Sequence, residues 1–337
     1  MRETQEGWAT RACRRLTDGT AVYTVGGSEP SIRLDRFLKE RIPKLSRRRI
    51  QEAIRERVDV EGRGAAKPAR RLQPGDTVLV RPSEPPDEAD PTESVPVLFE
   101  DEDLFAIDKP AGLLAHPSNH VRKGSVAWIL ARDHGGPIHL VHRLDRETSG
   151  VMLVARHPAA ARALSAQLGR DRGGAAKCYL AVVFGRVAIE EATIDLPIGR
   201  ALRSAVYVKR GINRQDGRAS QTRFRVLDRS GGFSLLRVTL LTGRRHQIRV
   251  HLAAAGHAVV GDKLYGPAES HYLRFIRRGF DDRMRRELLA ERQLLHAARI
   301  DFSHPRDGRP LSQTAPLPAD MRDFLERSGL SLPAAWR

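Results

Sequence analysis

The sequence has few cysteines, few aromatic residues and no long apolar run. Its two cysteines, Cys13 and Cys178, are too few and too far apart for a disulfide framework or a zinc site. A membrane-spanning helix needs about 18 or more consecutive apolar residues, and the sequence offers no such run. The first residues, MRETQEGWATRACRRL, are polar throughout and do not resemble a secretion signal. We therefore expect a soluble, cytoplasmic protein with no membrane-spanning segment.

Histidine is more frequent, with 12 residues, but its spacing does not favour metal binding. Metal-binding histidine pairs on a helix stand at positions i and i+4. His246 and His251 in HQIRVH stand at i and i+5, which places them on different helical faces. The sequence therefore indicates no metal site.

Positive charge, in contrast, is abundant and spread along the chain. The 58 lysines and arginines exceed the 41 acidic residues, and the formal net charge is +17. Such a chain attracts a polyanion, so nucleic acid is the favoured partner and an anionic membrane surface is the rival. With 337 residues, of which 40% are hydrophobic, the chain can form one large domain or two ordinary ones.

The first part of the chain has the pattern of a small separate domain. Apolar positions recur at helical spacing through IRLDRFLKERIPKLSRRRIQEAIRER, and Pro43 divides this run into two short helices. Ser46 is expected to cap the second helix, whose first turn then carries Arg47, Arg48 and Arg49. Strands are expected next, at VDVEG and LQPGDTVLVR.

An acidic, proline-rich stretch, PSEPPDEADPTES, separates this unit from the rest of the chain. Beyond it, long strands mix with separated helices and do not alternate strictly, which favours an α+β fold around a mainly antiparallel mixed sheet. We therefore divide the chain into an extension, a small domain, a linker, a large domain and a tail, at 1–30, 31–82, 83–95, 96–325 and 326–337.

A charged segment stands directly before a strongly apolar strand. In VHRLDRETSG the carboxylate of Asp145 lies among basic residues, and the small residues after it are typical of a turn into VMLVA. A loop at the end of a buried strand is a usual place for a functional side chain. The structural alternative is that Asp145 caps its own loop or pairs with Arg143 or Arg146.

Two further segments offer partners for such a carboxylate. HQIRVHLAAAG predicts a helix on which Arg249 interrupts an apolar stripe. Its side chain either lies at a solvated flank or pairs with a buried carboxylate such as Asp145. In AAKCYLAVVFG, Lys177 and Tyr179 share one face of a strand, where a tyrosine is most often a packing residue.

Together these segments resemble the motif series of the RluA-type pseudouridine synthases. The matching stretches are DKPAG, HRLDRETSG, KCYLA, GRRHQIRVHLAAAGHAVVGDKLYG and LLHAARIDFSHP, in the family's order and at comparable spacing. The small domain is similar to the alpha-L RNA-binding domain that many of these enzymes carry at the N-terminus. The resemblance implies an α+β catalytic domain of the pseudouridine synthase type and an enzyme that needs no cofactor.

The family's reaction detaches uracil from ribose in RNA and rejoins the sugar to carbon 5 of the same base. By resemblance Asp145 is the reacting carboxylate, which attacks the anomeric carbon or takes a proton on the way to a glycal. Burial favours the protonated form of a carboxyl, so a cation is needed nearby, and Arg249 matches the family arginine in HQIRVH. Tyr179 matches the family tyrosine that packs on the base, a role that we rank above proton transfer.

The target uridine must leave the RNA stack before it reacts. Arg143 matches the family arginine before Leu-Asp and is expected to fill the vacated space by stacking its guanidinium on neighbouring bases. Lys109, Arg146 and the arginines at 47–49 are expected to contact phosphates. The N-terminal module favours large-subunit ribosomal RNA as substrate, with transfer RNA as the alternative.

Two other interpretations share part of these features. A non-catalytic RNA-binding or ribosome-assembly factor would keep the charge and both domains, but it has no need of Asp145, Tyr179 and Arg249 together. A DNA-binding regulator built on the two-helix unit would leave the large domain unexplained. We therefore expect an RNA pseudouridine synthase that acts as a monomer, while the role of the arginine-rich segment at 267–292 stays open.

Overall fold

The computed structural model of the chain describes residues 13–15, 20–26, 31–43, 45–61, 66–81, 94–117, 123–169, 174–202, 204, 206 and 208–336. The chain divides into two compact units, the small unit at residues 1–86 and the large unit at 87–337. Within the described ranges, no helix combines the length and the apolar character that crossing a membrane requires.

The small unit consists of short strands and two helices. Its strands are β1 (Cys13–Arg15), β2 (Ala21–Thr24), β3 (Ile32–Arg33), β4 (Val58–Val60), β5 (Arg71–Leu72) and β6 (Thr77–Val80), and its helices are α1 (Leu34–Arg41) and α2 (Arg47–Arg57). Strands β1, β2, β6 and β4 lie in that order in an antiparallel sheet, and β3 pairs with β5.

Local sequence explains the two helices of the small unit. Leu34, Phe37 and Leu38 are buried along α1, at the spacing that the sequence pattern indicates. The helix ends before Pro43, as predicted. The hydroxyl of Ser46 accepts a hydrogen bond from the Arg49 N–H at 3.3 Å, which confirms the predicted cap of α2.

The small unit reaches further towards the N-terminus than the predicted domain. Strand β2 lies inside the predicted extension at 1–30, yet it pairs with β6 along its whole length. The boundary drawn between 30 and 31 therefore cuts this sheet. That boundary followed the helical periodicity, which begins only at Ile32, whereas a four-residue strand carries little pattern of its own.

The large unit contains most of the regular structure. Its strands are β7 (Val97–Glu100), β8 (Leu104–Lys109), β9 (His139–Leu140), β10 (Ser149–Ala155), β11 (Ala176–Phe184), β12 (Glu191–Asp195), β13 (Ile198–Arg200), β14 (Arg210–Ile212), β15 (Gln221–Ser230), β16 (Phe233–Leu240), β17 (Leu295–Ser303) and β18 (Pro310–Thr314). Its helices are α3 (Val126–His134), α4 (Pro158–Gly169), α5 (Gln247–Ala254), α6 (Ser270–Arg278), α7 (Asp282–Leu288) and α8 (Ala319–Ser328), followed by a 3-10 turn at Ala334–Trp336.

One mixed sheet organises the large unit. Strands β12, β15, β16, β11, β17, β10, β8 and β7 lie in that order, with β18 paired to β17 and β9 paired to β10. The pairs are antiparallel except β10 with β17, which run parallel. The prediction of an α+β domain with a mainly antiparallel sheet is therefore confirmed.

Helices cover both faces of the central strand β10, whose seven residues are all buried. Its alternate side chains join two different cores: Met152 lies in the core that receives α3 and α5, and Leu153 in the core that receives α4. This double burial explains why VMLVA reads as a continuous apolar run. Helix α8 runs across the predicted start of the tail at 326, and Leu330 beyond it is buried in a further core.

The parallel contact between β10 and β17 depends on a glycine. Gly150 has φ +110, and a Cβ at this position would overlap the backbone of Ala297 on β17. Only glycine combines that conformation with so close an approach. The segment that enters β10 is thereby brought directly against the middle of the sheet.

Candidate active site

Asp145 lies on the loop at 141–148, which joins β9 to β10. Leu144 of this loop is buried in the main core of the large unit, and the Thr148 N–H donates to the Asp145 carbonyl at 3.1 Å. The His142 ring accepts a hydrogen bond at 2.9 Å from the Leu153 N–H of β10. Burial lowers the pKa of His142 to about 3, so the ring stays neutral and keeps the lone pair that this bond needs.

This loop forms one wall of a cleft of about 400 Å³. Other side chains around the cleft come from β11 and from the start of α5, and the lining residues include Arg143, Asp145, Lys177, Tyr179, His246 and Arg249. The three residues predicted to carry the chemistry thus come together in space from three separate segments of the chain.

Asp145 and Arg249 form an ion pair in the cleft. Nη1 of Arg249 donates to Oδ2 of Asp145 at 2.8 Å, and the arginine side chain is the more buried partner, 8% exposed against 22%. Burial by itself would raise the pKa of the Asp145 carboxyl, but the charge of Arg249 outweighs it and holds the pKa below its usual value. The carboxylate is therefore ionised at neutral pH.

Arg249 has a second carboxylate partner, Asp262, to which the sequence analysis gave no role. Nε and Nη2 of Arg249 donate to Oδ2 and Oδ1 of Asp262 at 2.6 and 2.8 Å. Oδ1 also accepts the N–H groups of Leu264 and Tyr265 at 2.9 and 3.0 Å. Burial opposes the ionised form of Asp262, but Arg249 lowers its pKa below the usual value. One edge of the guanidinium is thus fixed, and Nη1 is left for Asp145.

A signal for Asp262 was present in the sequence. It follows Gly261 in AVVGDKLYG, where a single carboxylate stands directly after an apolar run. A carboxylate buried with such a run needs a cation or several hydrogen-bond donors. Gly261 has φ +80, and a Cβ there would overlap the carbonyl of Arg292, so this glycine allows the close backbone approach that places Asp262.

Tyr179 is a buried residue of β11 and belongs to the main core of the large unit. Burial, followed by the negative charge of Asp145, raises the pKa of its phenol above the ordinary value. The hydroxyl therefore keeps its proton at neutral pH and is a poor base. This environment favours the packing role over proton transfer.

Lys109 was predicted to contact phosphate, and the structure contradicts this. Its side chain is fully buried, and Nζ donates to the carbonyl oxygens of Pro110, Leu113 and Arg146 at 2.7, 2.9 and 3.1 Å. Burial, with a smaller contribution from the charge of Arg292, lowers the pKa of Lys109 to about 7. Lys109 is the last residue of β8 and pairs with Gly150 of β10, and its bond to the Arg146 carbonyl connects it to the backbone of the loop that carries Asp145.

The other predicted RNA-binding residues are exposed. Arg143 is exposed beside the cleft, and the exposed Arg146 also donates from Nε to the Gly112 carbonyl at 2.8 Å. In the small unit, the arginines at 47–49 are exposed on the first turn of α2. Their contacts with RNA stay predictions.

The arginine-rich segment whose role was open forms α6 and α7. Lys263, next to Asp262 in the chain, lies 4.7 Å from the ring centroid of Phe275 on α6. The same ammonium pairs with Glu147 of the Asp145 loop at 2.6 Å. The segment therefore packs beside the loop that carries Asp145.

Asp101, Asp103 and His304 stand close enough together to hold a metal ion. Their polar atoms already have partners: His304 Nε2 lies 2.8 Å from Asp101, and Arg306 Nε and His157 Nε2 lie 2.9 Å from Asp103. Because cationic and hydrogen-bonding side chains occupy the carboxylates, we interpret this group as an ion-pair network.

Comparison with known proteins identifies the family of the chain. Residues 103–254 match the family model of RNA pseudouridylate synthases. An RNA pseudouridine synthase of Chloroflexus aurantiacus is 39% identical, over 91% of this chain and 93% of its own length. The ribosomal large subunit pseudouridine synthase D of Xanthomonas campestris is 38% identical, over 87% of this chain and 88% of its own length.

A solved structure shares the fold. Human RNA pseudouridylate synthase domain containing 4 superposes with a TM-score of 0.56 at 26% identity, covering 71% of this chain and 94% of the human one. The fold and the relatives define the class of enzymes that form pseudouridine in RNA. Within this class, the chain belongs to the RluA-type family of RNA pseudouridine synthases.

Proposed function

We propose that this enzyme isomerises specific uridines in large-subunit (23S) ribosomal RNA and that Asp145 is the reacting carboxylate. The observation that carries the proposal is the ion pair of Asp145 with Arg249 inside the cleft, which keeps the carboxylate ionised. The choice of RNA rests on relatives named as ribosomal large subunit pseudouridine synthases. We further propose that the enzyme is a monomer and uses no metal or cofactor.

In the reaction the bond between C1′ of ribose and N1 of uracil breaks, and a bond between C1′ and C5 forms. The C5 proton leaves to solvent and N1 takes up a proton, so the base keeps its composition. Arg249 donates to Oδ2 of Asp145, which leaves Oδ1 for the sugar. Oδ1 either attacks C1′ to form an ester that C5 of the uracil later displaces, or removes the 2′ proton to give a glycal and returns that proton to C2′ as C5 bonds to C1′. Both routes need the ionised carboxylate.

The uridine reaches the cleft after it leaves the RNA stack, which costs a few kcal/mol and least in loops and bulges. Arg143 is exposed beside the cleft, where its planar guanidinium can stack in the vacated space. Tyr179 lines the cleft and offers its ring to the uracil.

In this proposal the small unit increases the affinity of the enzyme for RNA. We propose an alpha-L-type RNA-binding domain there, with its predicted core at 31–82, in which the exposed arginines at 47–49 contact phosphates. Arg146 plays the same role on the catalytic loop. These contacts raise affinity for structured RNA without selecting a sequence.

The catalytic assignment is tested with RNA that carries tritium at C5 of uridine. Wild-type enzyme is expected to release tritium to solvent, and Asp145→Asn is expected to release none above the uncatalysed background. Asp301→Asn, which changes an exposed carboxylate on β17, is the matched control and is expected to react like the wild type. Equal release by Asp145→Asn and wild type would show that the assignment is wrong.

The substrate is tested by mapping pseudouridines in total RNA from a strain that lacks this gene. We expect pseudouridines to disappear from large-subunit ribosomal RNA in this strain, and to return when the wild-type gene, but not the Asp145→Asn gene, is restored. If sites disappear from transfer RNA alone, the substrate proposal is wrong and the transfer RNA alternative holds.

A further inference from the structure

His246 lies directly before α5 and faces two different partners. Its backbone has φ 58, the left-handed conformation, and its side chain lines the cleft. Nδ1 lies 2.8 Å from the hydroxyl oxygen of Tyr265, and Nε2 lies 3.7 Å from Oδ1 of Asp145. That oxygen is the one to which Arg249 does not donate. The imidazole therefore stands between a phenol and the free edge of the reacting carboxylate.

The hydroxyl of Tyr265 decides which ring nitrogen carries the proton. Its oxygen already accepts the Arg210 N–H at 2.9 Å, and its one proton can be donated to Nδ1 of His246. In the other tautomer, with the proton on Nδ1, the hydroxyl of the buried Tyr265 would lose Nδ1 as the acceptor for its proton. The lone pair of Nε2 would then face the carboxylate of Asp145. Both features are unfavourable, so the hydrogen bonds favour the tautomer with the proton on Nε2.

The ring is neutral in this setting. Burial, the largest effect, lowers the pKa of His246 to about 4, although the carboxylates of Asp145 and Asp262 raise it. Arg249 and Arg245 also face the ring and lower the pKa further. A neutral ring with its proton on Nε2 presents a donor to Oδ1 of Asp145, 3.7 Å away, and is not a base.

We propose that His246 is a positioning residue for Asp145: its Nε2–H, directed by Tyr265, orients Oδ1 of the carboxylate towards the sugar. This inference rests on the proposed role of Asp145. The 3.7 Å separation is long for a hydrogen bond, and a shift of under about 1 Å closes it when the uridine enters the cleft. Arg249 and His246 then hold the two oxygens from different sides.

Two replacements of His246 separate the hydrogen bond from the fold. Glutamine can place an amide N–H near the position of Nε2, whereas leucine has similar bulk and no donor. Both put an unbranched Cβ on the same left-handed backbone, so the conformational strain is common to them. Leucine is expected to lower the single-turnover rate constant by roughly 10- to 100-fold with little change in RNA affinity, and glutamine to recover most of the loss.

Tyr265→Phe tests whether the phenol acts through the histidine. The single change is expected to lower the rate constant, and to have no further effect in the His246→Leu background. Additive losses would mean that Tyr265 acts elsewhere, and the inference would fall. His134→Gln, on α3 outside the cleft, is the matched control and is expected to react like the wild type.

A measurement without activity completes the test. In wild-type protein with 15N-labelled histidine, NMR is expected to show His246 protonated on Nε2 and unprotonated on Nδ1 at neutral pH, and a mixture in Tyr265→Phe. A proton on Nδ1, or a charged ring, would overturn the inference even if the leucine variant did not fold. If Asp145→Asn is inactive while His246→Leu reacts normally, only this inference fails. If Asp145→Asn is active, the proposed function fails.

Discussion

Each unit of the chain contains a carboxylate held by arginine, and the two pairs are built in opposite ways. Asp35 on α1 is 2% exposed, and its oxygens accept from Arg33 at 3.1 and 3.0 Å and from Gln51 at 3.4 Å. Its arginines are the exposed partners, Arg33 at 44% and Arg47 at 72%. At Asp145 the arginine is buried and the carboxylate is the more exposed partner.

The difference shows how the same two chemical groups serve different purposes. Both oxygens of Asp35 accept hydrogen bonds from other side chains, and the donors include residues of α2. The carboxylate therefore connects α1 with α2. At Asp145 a single guanidinium bond reaches one oxygen, and Asp262 holds that guanidinium in place. Asp145 is ionised, lines the cleft, and has one oxygen to which Arg249 does not donate. Such a carboxylate is available for reaction.

The largest expected effect comes from Arg249→Met, compared with Arg33→Met. Removing Arg249 leaves Asp262 buried with no cation, so we expect a loss of about 3–5 kcal/mol in the free energy of unfolding. Turnover is expected to fall roughly 100-fold or more, because Asp145 loses its charge partner and its position. Removing the exposed Arg33 is expected to leave turnover unchanged. Chemical denaturation and tritium release measure the two quantities, and a similar loss of turnover in both variants would contradict the comparison.

The two units can also be compared by replacing one glycine of the backbone in each, Gly261 and Gly75. Gly261→Ala puts a methyl group into the carbonyl of Arg292 and strains φ +80, so we expect a loss of about 2–4 kcal/mol and displacement of Asp262. Gly75→Ala in the small unit has φ +87 but open space around it, so only strain of about 1–2 kcal/mol is expected. If thermal unfolding showed the same loss of stability in both variants, the packing beside Asp262 would be looser than described.

A smaller effect concerns acid stability. Hydrogen bonds from Arg33 hold the pKa of Asp35 at about 2, below its ordinary 3.8. A lowered pKa stabilises the folded state above about pH 4, and this stabilisation is lost as the pH falls towards 2. Asp35→Asn is therefore expected to destabilise the small unit at neutral pH and to lose less stability than wild type between pH 4 and 2. If the free energy of unfolding of Asp35→Asn fell between pH 4 and 2 as steeply as that of the wild type, the stabilising role of the Asp35 ion pair would be contradicted.

The smallest expected effect lies on the surface of α2. Replacing the exposed arginines at 47–49 together with alanine is expected to weaken binding of structured RNA roughly tenfold and to flatten its salt dependence by about one unit of slope per lost phosphate contact. The single-turnover rate at saturating RNA is expected to match wild type. Unchanged affinity and salt slope would remove the small unit from the proposed RNA interface.

The sequence predicted the parts of the site that local pattern determines. The loop before VMLVA, the helix that carries Arg249 and the cap at Ser46 each follow from neighbouring residues. Motif resemblance then paired Asp145 with Arg249 across more than a hundred residues, and the structure contains that pair.

The remainder depends on contacts that no local pattern shows. Lys109 looked like a phosphate ligand, but its neighbours on β8 are mostly buried and three carbonyl oxygens receive its ammonium. Asp262 gains its role only when α5 packs against the turn at 261–265. Strand β2 is recognisable only once β6 lies beside it.

The pKa of the Asp145 carboxyl in the free enzyme is the most direct measure of its ion pair with Arg249. Carboxyl 13C NMR of aspartate-labelled protein can follow its titration, with the Asp145→Asn spectrum to assign the signal. The ion pair predicts a titration midpoint below the ordinary 3.8, and a clear upward shift of the midpoint in Arg249→Met. A midpoint at or above the ordinary value in the wild type, unchanged by Arg249→Met, would contradict it.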